Sequence, residues 1–178
     1  KQIEFASTIH TAGADLLSLI SDILDLSKVE AGKMEISPGP IEVDAIREYV
    51  ERAFGPVAEQ KGIEFRITVA DGAPASIFTD EQRVQQVLRN LLSNAFKFTE
   101  AGTVELELAA APQDTPYELS FTVRDTGIGI AEDKLRLIFE AFQQEDGTTS
   151  RRFGGTGLGL AISRESARAL GGEIHVQS

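Results

Sequence analysis

At 178 residues with 42% hydrophobic side chains, the chain is long enough for one domain plus an extra element and apolar enough to fill a core, which excludes wholesale disorder. It has no cysteine, so neither disulfides nor thiolate metal sites hold it together. A net charge of −11, from 17 basic and 28 acidic residues, argues against a general affinity for nucleic acid or anionic membrane; a polyanionic ligand would need a local pocket of donors.

Residues 3–30 read as one long helix. Phe5, Ile9, Ala12, Leu16, Leu19, Ile23 and Leu26 step by threes and fours, with Leu17, Ile20 and Leu24 beside them. No proline interrupts the run, and Gly13 is its one weak position. Such a helix is roughly 40 Å long. Its apolar face is wider than a two-stranded seam needs, which predicts a bundle; the alternative is an ordinary core helix packed on its own domain.

Ser37 to Val43, "SPGPIEV", is a Pro/Gly hinge and the best domain boundary. Beyond it, Val43–Lys61 is predicted helical, with Val43, Ile46, Val50, Phe54 and Val57 on one face. Glu64–Val69 alternates as a strand, with Phe65, Ile67 and Val69 on one side. Asp80–Phe98 is a second helix with Asp80 as its N-cap. Thr103–Ala109 and Glu118–Asp125 read as paired strands around the polar loop "APQDTP". Glu132–Phe139 and Thr156–Leu170 are predicted helices, and Glu173–Val176 a strand. This order predicts an α+β fold, a two-layer sandwich of a mixed sheet with helices on one face, preceded by the long helix. No apolar run approaches the ~20 residues of a membrane span, and no signal peptide is visible. The sequence opens inside a helical pattern and ends inside a strand pattern, so it reads as a piece of something longer.

Four stretches carry polar or glycine-rich signals that could meet at one ligand. In "QQVLRNLLSNAFKFT", Val87, Leu88, Leu91, Leu92 and Ala95 are predicted to face the core, while Asn90, Asn94 and Lys97 follow one another a turn apart. Asparagine is a poor helix former because its side chain competes for backbone hydrogen bonds, so two stacked mid-helix fit either a solvated face or a task. Amide oxygens are hard ligands suited to Mg²⁺, which keeps its waters and binds phosphates as well. Lys97 would add a point charge for phosphate.

In "RDTGIGI", Asp125 ends a strand and Gly127 and Gly129 let the backbone turn sharply. A carboxylate followed by close backbone suits a base with an exocyclic amino group, although D-x-G-x-G alone also fits a plain strand-to-loop turn. In "FEAFQQ", Phe139 and Phe142 read as core, or as anchors for the polar loop "QEDGTTSRR", which has the mobility and the arginines a lid needs. Last comes "RRFGGTGLGL", where Gly154, Gly155, Gly157 and Gly159 crowd the mouth of a helix. Bare backbone there can offer several N–H donors to a phosphate, whereas a simple flexible turn needs fewer glycines. Neither the P-loop nor the dinucleotide fingerprint fits: Leu160 stands where the first needs Lys and the second Gly.

Taken in order, these stretches resemble the catalytic ATP-binding domain of sensor histidine kinases, which has the Bergerat ATPase fold. "NLLSNAFKFT" is similar to that family's N box, "DTGIGI" to its first glycine box, "FEAF" to its phenylalanine box and "GGTGLGLAIS" to its second glycine box. "LLSLISDILDLSKVEAGK" is similar to the second helix of the dimerisation and phosphotransfer hairpin, and "GTTSRRFGGTGLGL" to hybrid kinases that also carry receiver domains. The resemblance implies a partial dimerisation helix over 1–36 and a catalytic ATP-binding domain over 37–178 whose last strands are missing.

It also implies roles. Asp125 would bind the adenine amino group, with Gly127, Gly129 and Ile130 lining the base. Asn94 would ligate Mg²⁺ with the support of Asn90, and Lys97 and Phe98 would touch phosphate and nucleotide. Gln144, Arg151, Gly155, Thr156, Gly157, Leu158, Gly159 and Leu160 would form the lid and phosphate cradle. The implied cofactors are ATP and Mg²⁺. The implied partners are a response-regulator receiver domain and a second copy through the N-terminal helix, in a cytoplasmic setting, with no nucleic acid and no membrane contact by this stretch.

The departure from the pattern is the phosphoacceptor. The family's acceptor histidine is followed by an acidic residue and soon after by a proline. His10 sits in "STIHTAG" and reads as an ordinary helix residue; His175 lies near the end. No catalytic residue is therefore assigned within the chain, which should bind ATP without phosphorylating itself at the usual place. The competing expectation is a nucleotide-sensing module of the same fold that performs no transfer. Chaperone-, mismatch-repair- and gyrase-type ATPases are disfavoured by the upstream helix, and by Arg83, Gln85 and Gln86 standing where a hydrolytic glutamate would be sought.

Overall fold

The computed structural model describes residues 34–140 and 157–178, and, in the N-terminal stretch, Gly13, Leu16, Leu17, Ile20, Ser21, residues 23–25, Ser27 and Lys28. Those N-terminal residues are all helical. Leu16, Leu17, Ile20, Ile23 and Leu24 are exposed, whereas Asp25 is buried. His10 lies outside the described residues.

After the linker come β1 (Gly39–Glu42), α1 (Val43–Lys61), β2 (Glu64–Val69), β3 (Ser76–Thr79), α2 (Glu81–Phe98), β4 (Thr103–Ala110), β5 (Leu119–Asp125) and α3 (Gly159–Ala169). The main sheet has the order β2-β4-β5. β2 runs parallel to β4, with Phe65 opposite Val104. β5 runs antiparallel to it, with Asp125 opposite Val104. The expected mixed sheet is therefore present. The parallel β2-β4 pair is joined through β3 and α2, the kind of long crossover that parallel strands require.

Local chemistry explains the helix ends. α1 stops at Gly62, whose φ of 66° is left-handed, where the Gly62 and Ile63 amides turn back to the Glu59 and Ala58 carbonyls. α2 starts at Asp80, whose Oδ1 accepts from the Arg83 amide at 3.2 Å.

The core lies between this sheet and the two long helices. β4 supplies Val104, Leu106 and Leu108 on alternate positions, α1 supplies Val43, Ile46, Val50 and Phe54, and α2 supplies Val84, Leu88, Leu92, Ala95 and Phe96. Phe96 stacks on Phe54 at 5.6 Å between centroids and meets the edge of Phe65 at 5.1 Å. The other face of the sheet is charged: Arg66 bridges Glu64 and Glu105, and Arg124 pairs with Glu107. Such exposed pairs add little stability, but they keep that face wet and leave the helices on one side.

Several expectations are corrected. Val87 and Leu91 are only half-buried, because α2 turns Val84 and Phe96 inward instead. Val57 likewise sits at the core's margin, Val69 is exposed, and Ala58 is buried in α1. The hinge is not bare linker. Its second half forms β1, which pairs antiparallel with β3 in a separate two-stranded sheet, with Pro40 opposite Phe78.

Glu132–Phe139 is a run of turns rather than a helix, since its amides mostly reach three residues back, as Lys134 does to Ala131. Glu173–Val176 is not a strand, because a strand is a pairing and this backbone has no ladder partner among the described residues. α3 begins at Gly159, not Thr156, after Gly157 adopts a left-handed φ of 70°.

Candidate functional site

The site is built on α2, whose last two turns carry Asn94, Lys97 and Phe98. Asp125 and the loop that follows are tied to its C-terminal end. At the strand terminus, the Asp125 Oδ1 accepts from the Gly127 amide at 2.9 Å, which folds the chain back sharply. Gly127 then passes so near the end of α2 that a Cβ there would lie 2.5 Å from the Phe98 carbonyl oxygen. The Ile128 amide donates to that same oxygen at 3.4 Å.

On its other side the loop is held to β4: the Thr126 amide donates to the Thr103 carbonyl at 3.1 Å, and Thr126 Oγ1 accepts from the Thr103 amide at 3.0 Å. The Ile130 amide donates to Ser178 Oγ at 2.6 Å. Two stretches separated in sequence thus converge, and the convergence requires glycine at 127. Ile128, by contrast, is left 64% exposed.

Asn90, one turn before Asn94, performs a different task. Its Nδ2 donates to the Gly159 carbonyl at 3.1 Å and to Ser163 Oγ at 3.2 Å, fastening α3 to α2. This places the start of α3 beside the asparagine row. Leu158 supplies no side-chain cap, and the first turn of α3 carries no acidic residue. An N-terminus in that condition suits an anion, through its N–H groups and the helix dipole. Gly157, Leu158, Gly159 and Leu160 therefore border the asparagine row; Leu158 is fully buried and the other three are half-buried. Gln144, Arg151, Gly155, Thr156 and Phe142 lie outside the described residues. Phe139 is buried, with the Arg164 guanidinium 5.5 Å over its ring.

Electrostatics mark the same end of α2. Burial pulls the Lys97 ammonium below its usual range, and its Nζ lies 4.8 Å over the Phe98 ring. A partly desolvated cation gains when an anion arrives. The Asn94 amide makes no hydrogen bond among the described residues, and the Asn90 Oδ1 is left over once its nitrogen is committed. No group of three or more His, Cys, Asp or Glu stands ready to hold a metal among the described residues. The donor set fits a hard cation bound by amide oxygen together with a ligand's phosphates rather than a self-sufficient protein cage.

Two features escaped the sequence reading. The Thr99 hydroxyl, directly after Phe98, is fully buried with no hydrogen-bond partner among the described residues. Asp25 on the N-terminal helix accepts from Gln86 Nε2 at 2.7 Å and from Arg83 Nη1 at 3.3 Å. Both arise from three-dimensional neighbours, and neither has a local sequence signal.

Residues 79–178, more than half the chain, match the family described as histidine kinase-, DNA gyrase B-, and HSP90-like ATPase. The whole chain is 37% identical to a stretch of the autoinducer 2 sensor kinase/phosphatase LuxQ of Vibrio cholerae, covering 21% of it. Over 99% of its length it is 36% identical to the signal transduction histidine-protein kinase BarA of Escherichia coli K12, covering 19% of that protein. It thus spans about a fifth of the length of these curated relatives. The crystal structure of full-length ShkA in complex with AMPPNP superposes with a TM-score of 0.79 at 37% identity, over 96% of this chain and 34% of that one.

Proposed function

Because the chain belongs to the histidine kinase-, DNA gyrase B- and HSP90-like ATPase family, we propose that it is the ATP-binding catalytic part of a two-component sensor histidine kinase. It serves transfer of the γ-phosphoryl group of ATP to a histidine beyond residues 1–178, for relay to an aspartate of a response-regulator receiver domain. The observation that carries this reading is the closure of the Asp125–Ile130 loop onto the Phe98 carbonyl. It ties the loop that follows Asp125 to the helix end that carries Lys97 and Phe98, which supports reading the carboxylate and that helix end as parts of one site. The kinase relatives favour this over the gyrase- and chaperone-type branches of the family.

In this reading Asp125 accepts from the exocyclic amino group of adenine through the oxygen that does not bind Gly127. Gly127, Gly129 and Ile130 give the base room. Asn94, with the Asn90 oxygen, would hold Mg²⁺, which when bound neutralises phosphate charge and orients the transferred group. Lys97 supplies a cation to the phosphates, and Phe98 fixes the lysine's position. The uncapped start of α3, with Gly157, Leu158, Gly159 and Leu160, receives phosphate oxygens, and Asn90 keeps that helix end in place. Gln144, Arg151, Gly155 and Thr156 belong to the lid. Catalysis of this kind is positioning and charge neutralisation, with little covalent work for the protein.

The exposed stripe of Leu16, Leu17, Ile20, Ile23 and Leu24 is the face proposed to pack against a second copy, as expected for residues 1–36 acting as a dimerisation helix apart from the catalytic unit at 37–178. The proposed setting is cytoplasmic; among the described residues no helix is long and apolar enough to cross a membrane.

The test is phosphoryl transfer in a protein extended upstream to include the acceptor helix. With γ-labelled ATP and Mg²⁺ it should acquire an acid-labile, base-stable phosphate. Asp125→Asn and Asn94→Ala should each lower that signal at least tenfold. Undiminished labelling in the double variant would remove the site assignment. ATP binding without any transfer would favour the nucleotide-sensing alternative.

A further inference from the structure

The last carbonyls of an α-helix have no amide donors within it and must find them elsewhere. At the end of α2, three different parts of the chain supply them. The Thr99 amide serves Ala95 at 3.1 Å, the Ile128 amide serves Phe98 at 3.4 Å, and the Lys61 ammonium serves Phe96 at 2.5 Å. Lys61 is the last residue of α1 and stands 35 residues before its partner. Its own helix end is closed without it, since the Gly62 and Ile63 amides take the Glu59 and Ala58 carbonyls. Gly62 then turns the chain, Ile63 is buried in the core, and the Glu64 amide donates to the Gly102 carbonyl at 3.0 Å. Gly102 lies against the loop after Asp125, because a Cβ on it would be 2.2 Å from Thr126 Oγ1. The corner from Lys61 to Glu64 therefore grips both parts of the candidate site: the end of α2 through Phe96, and the seat of the Asp125 loop through Gly102.

We infer, on the reading that this site receives ATP, that Lys61 is a positioning residue for nucleotide binding: its ammonium fixes the Phe96 carbonyl and with it the turn that carries Lys97 and Phe98. A cation at a helix C-terminus meets the negative end of the helix dipole, and a hydrogen bond from a charged donor is stronger than a neutral one. Helix ends otherwise fray. Fraying matters here because Lys97 and Phe98 follow directly on Phe96, and because the Phe98 carbonyl receives the loop after Asp125. A shift of the last turn would move the cation for the phosphates and the carboxylate for the base together. Lys61 itself is an exposed residue, so the fold depends on it little. A small effect on stability beside a larger one on binding is what separates positioning from a merely structural role.

The test uses the full chain and two readouts: calorimetric affinity for ATP with Mg²⁺, and the Ile128 amide resonance in the nucleotide-free protein. Lys61→Met keeps the length of the stem and removes the charge. It should weaken ATP binding at least threefold and displace the Ile128 resonance. Lys61→Arg, which can still donate to the Phe96 carbonyl, should bring the affinity back to within twofold of the parent and return the resonance. Ile46→Val trims the buried core near the other end of α1 and controls for stability. It should lower the unfolding midpoint and leave both readouts unchanged. Parent-like affinity and resonance in Lys61→Met would overturn the inference, as would an equal loss of affinity in Ile46→Val or no recovery in Lys61→Arg. A weakening by Asp125→Asn in the same series would show that the site reading survives such a result. A parent that binds no ATP would remove both.

Discussion

The two ends of α2 are built to opposite specifications. At its start, the polar side chains are consumed by the protein itself: Asp80 accepts from Arg83 and Ser37, and Arg83 and Gln86 converge on Asp25. At its finish, among the described residues, the Asn94 side-chain amide forms no hydrogen bond and Thr99 keeps a buried hydroxyl without a partner. One helix therefore anchors the fold at one end and holds binding capacity in reserve at the other. Asn90 stands between them and belongs to the first category, since it grips α3. Polar groups that fold a protein are already paired; those that bind a ligand wait for it, and they show as unspent donors and acceptors.

Substitutions should separate the two ends by their effect on stability. The largest effect is expected at Gly127→Ala, whose Cβ would press on the Phe98 carbonyl; overpacking of this kind costs about 1–3 kcal/mol. Chemical denaturation should show that loss together with impaired nucleotide binding. Next comes Asn90→Ala, which leaves the Gly159 carbonyl and the buried Ser163 hydroxyl without their donor, at about 1–2 kcal/mol.

Asp80→Asn follows, at about 1 kcal/mol near neutral pH, because the amide still caps the helix but lacks the charge. Burial alone would raise the Asp80 pKa, yet the Ser37, Arg83 and Gln82 amides and the Arg83 charge together hold it below 3.8. A carboxylate depressed on folding stabilises above its unfolded value and loses that contribution as pH falls through the folded one. The gap between parent and Asp80→Asn should therefore be full above about pH 5 and close as the solution is acidified below the ordinary carboxylate range. A gap that stayed constant on acidification would contradict the pairing at this end.

The smallest stability effect belongs to Asn94→Ala. No partner is lost and alanine favours helix, so unfolding should shift by no more than about 0.5 kcal/mol, in the stabilising direction. A loss of 2 kcal/mol or more would assign Asn94 to the fold and erase the contrast on which the site rests.

Much of this arrangement was legible in the sequence, for local reasons. α2 was placed to within a residue because Asp80 announces its cap and the apolar spacing runs to Phe96. β4 was legible because its alternation is strict. β1 and β3 were missed because each has four residues, and because Pro38, Gly39 and Pro40 mimic a plain hinge. The prolines are tolerated because β1 pairs on one side only.

In the site, the residue types pointed to nucleotide chemistry, and the family match bears out that general reading. What they could not reveal was the division of labour between Asn90 and Asn94. That division depends on Gly159 and Ser163, 69 and 73 residues further along the chain. The Asp25 contacts span 58 and 61 residues and were hidden for the same reason.

The central claim is that the Asp125 loop and the last turns of α2 together receive a magnesium-bound adenine nucleotide. Titration calorimetry of the parent and of Asp125→Asn, with ATP and with GTP, each with and without Mg²⁺, tests it most directly. The parent should bind ATP over GTP, Mg²⁺ should strengthen ATP binding, and Asp125→Asn should weaken it by at least about tenfold, or 1.4 kcal/mol. Equal affinities for the two nucleotides, unaltered by the substitution or by the metal, would contradict it.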